Sequence, residues 1–137
     1  MTFSILASDF KTGELCVATA TYFLAVGNHV PKIIPDVGAI VVQASAKTSN
    51  YRNEILNLIK KGVSTKKAVT QALKNDKLKE ERQIAVINLM GNAHVFSGNK
   101  TVRVSDSFIG KNFAIAGNML ANKSVVSTMA KSFQKNT

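Results

Sequence analysis

Apolar and polar positions along this chain follow two periods. From Thr2 to Ser8, Phe3, Ile5 and Ala7 alternate with Thr2, Ser4 and Ser8, the period-two pattern of a strand with two unlike faces. Asp9-Phe10-Lys11-Thr12-Gly13 then supplies turn residues. Glu14 to Thr21 returns as a second strand, so the segment predicts a hairpin. Phe23 to Val30 reads as a third, short extended piece interrupted at Gly27-Asn28. Beyond Pro31 and the turn Pro35-Asp36-Val37-Gly38, the run AIVVQAS is rich in β-branched residues and apolar on both faces, the pattern of a strand in the middle of a sheet.

The period then changes. Ser49-Asn50 stands where a first helix needs a cap, and Ile55, Leu56, Leu58 and Ile59 form its inward stripe. Lys60-Lys61-Gly62 ends it with a basic last turn and a glycine beyond the cap. Ser64 caps a second helix with Ala68, Val69, Ala72 and Leu73 on one side. RQIAVINL and AHVFSGN, joined at Met90-Gly91-Asn92, predict another hairpin, and KTVRVSDSFIGKN is read as a connection. FAIAGNML is a short strand ending at Gly117-Asn118. Val125, Val126, Met129, Ala130 and Phe133 predict a last helix from about Ser124 to Phe133. Blocks of strands, two helices, strands and one helix imply an α+β domain of mainly antiparallel sheets rather than a doubly wound parallel sheet.

Composition narrows the class. With 137 residues, 45% of them hydrophobic, and no low-complexity tract, residues 1–137 read as a single packed domain. No apolar stretch is long enough to span a bilayer, and the N-terminus has no basic, apolar and small-residue signal pattern, so a cytoplasmic location without membrane association is expected. The single cysteine, Cys16, sits in ELCVATAT and reads as a small buried hydrophobe, since no cation stands beside it to activate a thiol.

The net charge of +10 raises nucleic-acid and anion binding as a function class. Fifteen of the eighteen cations are lysines, and only Arg52, Arg82 and Arg103 offer the guanidinium fork that base edges and phosphates favour. The lysines concentrate on predicted helix faces and turns, where a solvated face is the ordinary reading, so no specific nucleic-acid partner is expected.

Several segments in a fixed order resemble a known family. MTFSILASD with KTGELCVATAT, FLAVGNHVP, VGAIVVQAS followed by Asn50-Tyr51, LIKKGVSTKKAVTQAL, ERQIAVINLMGNAHVFSG and FAIAGNMLANKSVV are similar to DUF1028 proteins, a family assigned to the Ntn-hydrolase, proteasome-like fold. The resemblance implies a four-layer αββα sandwich, with the helix pair on one sheet and the last helix on the other. Two departures stand out. TVRVSDSFIGKN replaces a segment in which the family usually carries a Cys and a Trp-Ala-Gly-His-like stretch, and Ala116 replaces a Gln before Gly-Asn. Members also usually continue past the helix around VVSTMAKSF toward a glycine-rich end, whereas this chain stops at Thr137, so the expected sandwich is incomplete at its C-terminus. An unpaired strand edge would then be exposed, and a homodimer that covers it is the expected assembly.

The same resemblance implies chemistry at the N-terminus. In Ntn hydrolases an N-terminal Thr, Ser or Cys attacks an amide or ester carbonyl with its own α-amine as base. An α-amine has an ordinary pKa of about 7.7–8, suited to general-base work at neutral pH. Thr2 is small enough for a methionine aminopeptidase to expose it, and Met1, while attached, blocks the amine. Lys32 in HVPKIIPDVG is the candidate for holding the hydroxyl and keeping the amine neutral, and Asn118 the candidate oxyanion donor. Gln43, Ser45 and Gly117 are the candidate substrate contacts.

Other chemistry finds little support. His29 and His94 lie outside any catalytic or metal-ligand spacing and read as surface or half-buried structural residues. Glu80-Glu81, Asp9, Asp36 and Asp106 read as turn and connection residues, and no phosphate-cradling glycine loop appears, so no metal and no cofactor is expected. The readings that remain are an amidohydrolase of small substrates, a catalytically inactive oligomerisation or binding module of the same fold, and a basic anion- or nucleic-acid-binding protein.

Overall fold

The computed structural model describes residues 1–45, 50–101 and 104–136. Eight strands form two antiparallel sheets of four. The first sheet has the order β2 (Glu14–Thr21), β1 (Thr2–Asp9), β8 (Phe113–Asn118), β7 (Asp106–Gly110). The second has the order β3 (Pro31–Ile34), β4 (Gly38–Gln43), β5 (Gln83–Asn88), β6 (Ala93–Ser97). Helices α1 (Tyr51–Lys60) and α2 (Thr65–Ala72) pack on the second sheet, and α3 (Ser124–Lys135) on the first. The sheets face each other, so the layers run helix, sheet, sheet, helix, as the family resemblance implies.

Strand alternation sorts the side chains into three cores. Ile40, Val42, Ile84 and Val86 face α1 and α2, where they meet Ile55, Leu56, Ala68 and Val69. Leu6, Ala39, Val41, Ala85, Ile87 and Ala116 fill the space between the sheets. Phe113 and Ile115 lie under α3 with Val126 and Ala130. AIVVQ, apolar on both faces, is accordingly a strand with neighbours on both sides, and every residue of β4 is buried. The end of α1 also follows its sequence: Gly62 adopts φ +87°, its N–H bonds to the Ile59 carbonyl, and that of Val63 bonds to the Leu58 carbonyl, a glycine-terminated helix end.

Several expectations are corrected. Phe23 to Val30 is not a strand: it carries the chain from one sheet to the other through a short 3-10 turn at Val26–Asn28, with Ala25 left-handed before it, and the extended segment is Pro31–Ile34. A proline without an N–H is accommodated because it opens an edge strand. The supposed connection before FAIAGN contains the edge strand β7, whose central residues are exposed and so lack a core pattern. Cys16 is exposed, because Leu15 and Val17 take the inward positions of β2 and the cysteine falls on the outer face. Ser64 does cap α2 by accepting from the Lys67 N–H, whereas Asn50 precedes α1 with its side chain bonded to the Asn53 side chain instead. Ser49 and Arg103 lie outside the described residues.

Polar side chains replace apolar ones at one end of the space between the sheets. Ser4 Oγ donates to Gln43 Oε1 at 2.7 Å, and Gln43 Nε2 donates to Gln83 Oε1 at 2.8 Å and to the Ala116 carbonyl at 3.1 Å. Gln83 Oε1 accepts a second bond, from Asn118 Nδ2 at 3.1 Å. Gln83 Nε2 donates to Ser97 Oγ at 2.9 Å and to the Gly117 carbonyl at 3.0 Å. Ser4, Gln43, Gln83 and Asn118 are each 2% exposed or less, so these bonds have no solvent to replace them.

A separate polar cluster lies where α2 leads into β5. Arg82 Nε donates to Asp76 Oδ2 at 2.5 Å, both side chains being nearly inaccessible, and the guanidinium stands 4.9 Å from the Tyr51 ring centroid. Burial pushes the Asp76 carboxyl up, but hydrogen bonds from Arg82, the Leu78 N–H and Tyr51, with the charge of Arg82, hold it below its ordinary value.

Two stability predictions follow from these clusters. Gln83→Leu strips the acceptor from two buried amides and should cost about 3 kcal/mol or more in urea unfolding; the double variant Gln43→Leu/Gln83→Leu should cost less than the sum of the singles. Asp76→Ala takes the carboxylate from the buried guanidinium and should cost about 3 kcal/mol at pH 7. Because the folded pKa of Asp76 is depressed, its contribution is present above the unfolded value of about 3.9 and fades as pH falls toward the folded value. The gap between wild type and Asp76→Ala should therefore narrow in unfolding curves taken below that pH.

Candidate functional site

The turn Phe10 to Gly13 joins β1 and β2 in a register that sets Thr2 opposite Thr21, while β8 on the other side sets Asn118 opposite Thr2. Thr2, Ser4 and Leu6 share the face toward the second sheet. A cleft of about 180 Å³ opens at this end of the sandwich, with Thr2, Thr21, Gln43 and Ser45 on its walls. Tyr22, Phe23, Val26, Val30 and Met119 make the remainder of the lining largely apolar, and no Lys, Arg, Asp or Glu is among the lining residues described.

Hydroxyl protons can be assigned around Thr2. Thr21 Oγ1 donates to the Met1 carbonyl at 3.1 Å and accepts from the Phe23 N–H at 3.3 Å. With its one proton so directed, Thr21 Oγ1 is the acceptor in its 3.0 Å contact with Thr2 Oγ1. Thr2 itself is 9% exposed, at the boundary between core and cleft, whereas Met1 is 44% exposed.

Backbone strain gathers at the same place. Ala44, directly after Gln43, has φ +80°, and Met119, directly after Asn118, has φ +51°; both line the cleft. Left-handed residues other than glycine cost of order 1 kcal/mol and persist where surrounding contacts hold them, often at functional sites. Across the cleft mouth, His29 is exposed and meets Phe23 edge to face at 5.6 Å. Arg52 of α1 holds this loop by donating to the carbonyls of Asn28 at 3.2 Å and Pro31 at 3.1 Å.

The structure brings together Thr2, Gln43 and Ser45 of the residues singled out in the sequence. Lys32 lies within β3 rather than in a turn, and its register partner is Ile40, whose side chain belongs to the core under α1 and α2. Alternation therefore turns Lys32 to the helix side of its sheet and not to the face that Thr2 addresses. Asn118 is adjacent to Thr2 but wholly buried, with its Nδ2 bonded to Gln83. Gly117 turns toward α3, where a Cβ would stand 2.8 Å from Leu120, so its bareness serves that packing. His94 is half-buried on the α2 side of β6, and burial together with Lys66 lowers its pKa.

Thr21, Tyr22, Phe23, His29 and Met119 were not among the site residues expected from the sequence. The signal for Thr21 was present in the hairpin register that the Lys-Thr-Gly turn imposes. Met119 carries none, since nothing in its type announces a left-handed backbone. Among the described residues, no group of three or more His, Cys, Asp or Glu is placed to hold a metal ion, and no helix is long and apolar enough to cross a membrane.

Comparison with known proteins identifies the family. The crystal structure of a DUF1028 protein from Silicibacter pomeroyi superposes with a TM-score of 0.92 at 32% sequence identity, covering 97% of this chain. This chain spans 59% of the length of that one. No curated protein matches it. The model of the family of unknown function DUF1028 matches residues 2–137, and the chain belongs to that family.

Proposed function

We propose that the cleft hydrolyses small uncharged amides once Met1 is removed, with Thr2 as nucleophile and its freed α-amine as base. The observation that carries this reading is the Thr2 hydroxyl on the wall of a cleft, bonded to Thr21 beside an exposed methionine. In the reaction the amine takes the hydroxyl proton as Thr2 Oγ1 attacks the substrate carbonyl carbon. The carbon–nitrogen bond breaks, and the leaving amine departs with that proton. Water then cleaves the acyl ester and restores Thr2. The small volume and the uncharged character of the described lining residues favour a short, neutral acyl group, with Ser45 as a polar contact.

The placement of Lys32 favours a second reading, in which the same cleft binds such amides without turning them over. With no cation among the described lining residues, the amine would serve as base unaided.

One set of measurements separates these readings. Intact mass of protein produced without an N-terminal tag should show loss of Met1. Hydrolysis of short neutral acyl amides should then fall by about 10³-fold or more in Thr2→Ala and persist at a reduced rate in Thr2→Ser. Retained Met1, or equal rates in wild type and Thr2→Ala, would refute the nucleophile. Saturable binding of the amides to both proteins with no turnover would establish the binding module.

A further inference from the structure

Asn118 is wholly buried, and its Oδ1 has no hydrogen-bond partner. Its orientation is nevertheless dictated by its neighbours. Ser4 directs a proton to Gln43 Oε1, which leaves the Gln43 amide to donate, and Gln83 Oε1 accepts from both Gln43 and Asn118. A flipped Asn118 would set one carbonyl oxygen against another. The network therefore keeps an acceptor open in the interior, where an unused polar atom calls for a donor.

The donor is suggested by what lies across the strand pair. Asn118 is the register partner of Thr2 on the face toward the second sheet, and Cβ atoms in such pairs stand about 4.5–5.5 Å apart. The Thr2 hydroxyl is taken by Thr21. The Thr2 nitrogen, however, changes character when Met1 is removed: an amide with one N–H becomes an amine with two or three. At the same step Thr21 loses the Met1 carbonyl that accepts its proton.

We propose that Asn118 Oδ1 is the acceptor held for the α-amine of Thr2 in the processed chain, which makes Asn118 a positioning residue that aims the amine at the neighbouring hydroxyl. This rests on the reading of Thr2 as an N-terminal nucleophile. A neutral carboxamide suits the task. It orients the amine without the full charge that would lock it as ammonium, so the base stays available near neutral pH. Among the described residues, Tyr22 and His29 are the titratable side chains that line the cleft, and Asp106 stands on β7 beyond β8. Asp106 pairs with Gly117 on the α3 side of the sheet and accepts from the Ser107 N–H. None of them replaces Asn118 opposite Thr2.

The test uses the chain released at Thr2 from a removable N-terminal fusion, so that it begins there whether or not cells remove Met1. The α-amine is titrated by NMR in the wild type, Asn118→Asp and Asn118→Leu. Asn118→Asp should raise the amine pKa by about one unit or more, and Asn118→Leu should lower it. In the wild type the Asn118 carboxamide carbon should titrate with the amine, a readout that needs no variant to fold. A purely structural Asn118 would change the melting temperature and leave both titrations unmoved; that result overturns the proposal. Coupled titration in a protein without hydrolysis would refute the nucleophile reading and leave the amine contact standing. Hydrolysis with no coupling would do the reverse.

Discussion

The Gln83 carboxamide is the contact on which the cleft end of the sandwich depends. It lies on the second sheet, yet it accepts from Asn118 and donates to the Gly117 carbonyl, both on the first, while it also ties in Gln43 and Ser97 from its own sheet. The remainder of the space between the sheets is filled by Leu6, Ala39, Val41, Ala85 and Ile87, whose attraction is non-directional. Apolar contacts of that kind hold the layers together without fixing how far one slides over the other. A carboxamide misplaced by an ångström leaves buried donors and acceptors unmet, at about 1–3 kcal/mol each, so the network selects one alignment.

That alignment reaches the cleft through two strand ends. Gln43 and Asn118 are the last residues of β4 and β8, central strands of the two sheets, and each is followed by a residue in the left-handed region. Ala44 and Met119 have no glycine-like freedom, and their strained turns are sustained by the hydrogen-bonded side chains immediately before them. The turns carry both chains away at once, which is why the sheets part here and a cleft opens beside Thr2. Loosening the network would therefore relax the walls of the site as well as lower stability.

How far this was legible in the sequence varied with the range of the interaction. Strands β1, β2, β4, β5, β6 and β8 and all three helices follow from apolar periodicity, because each buries a continuous face. Strand β7 was missed since an exposed edge strand needs no such face, and Cys16 was misjudged because period two cannot say whether a helix covers the outer side of a strand. Thr2, Gln43 and Ser45, nominated through the family resemblance, do line the cleft. Lys32 and Gly117 were nominated through the same resemblance, but the side a residue faces in a sheet is set by its register partner, and Ile40 and Phe3 take them out of the cleft. The carboxamide network had no sequence signal, since its members come from five different strands, β1, β4, β5, β6 and β8.

Charge, the loudest feature of the composition, is kept away from the chemistry. The chain carries +10, yet among the described residues no Lys, Arg, Asp or Glu lines the cleft. The ion pair of Arg82 and Asp76 lies on the helix side, where Tyr51 of α1 joins it. Among the described residues, the cleft lining offers an amine at Thr2 neither a carboxylate to hold its proton nor a lysine to repel it. An α-amine's ordinary range of about 7.7–8 is already close to what proton transfer at neutral pH requires. In the proposed reaction the outward turn of Lys32 would remove its electrostatic assistance, not the base itself. What the proposed site would then need is orientation, and uncharged groups stand where they could supply it: the Thr21 hydroxyl on one neighbouring strand and the Asn118 carboxamide on the other.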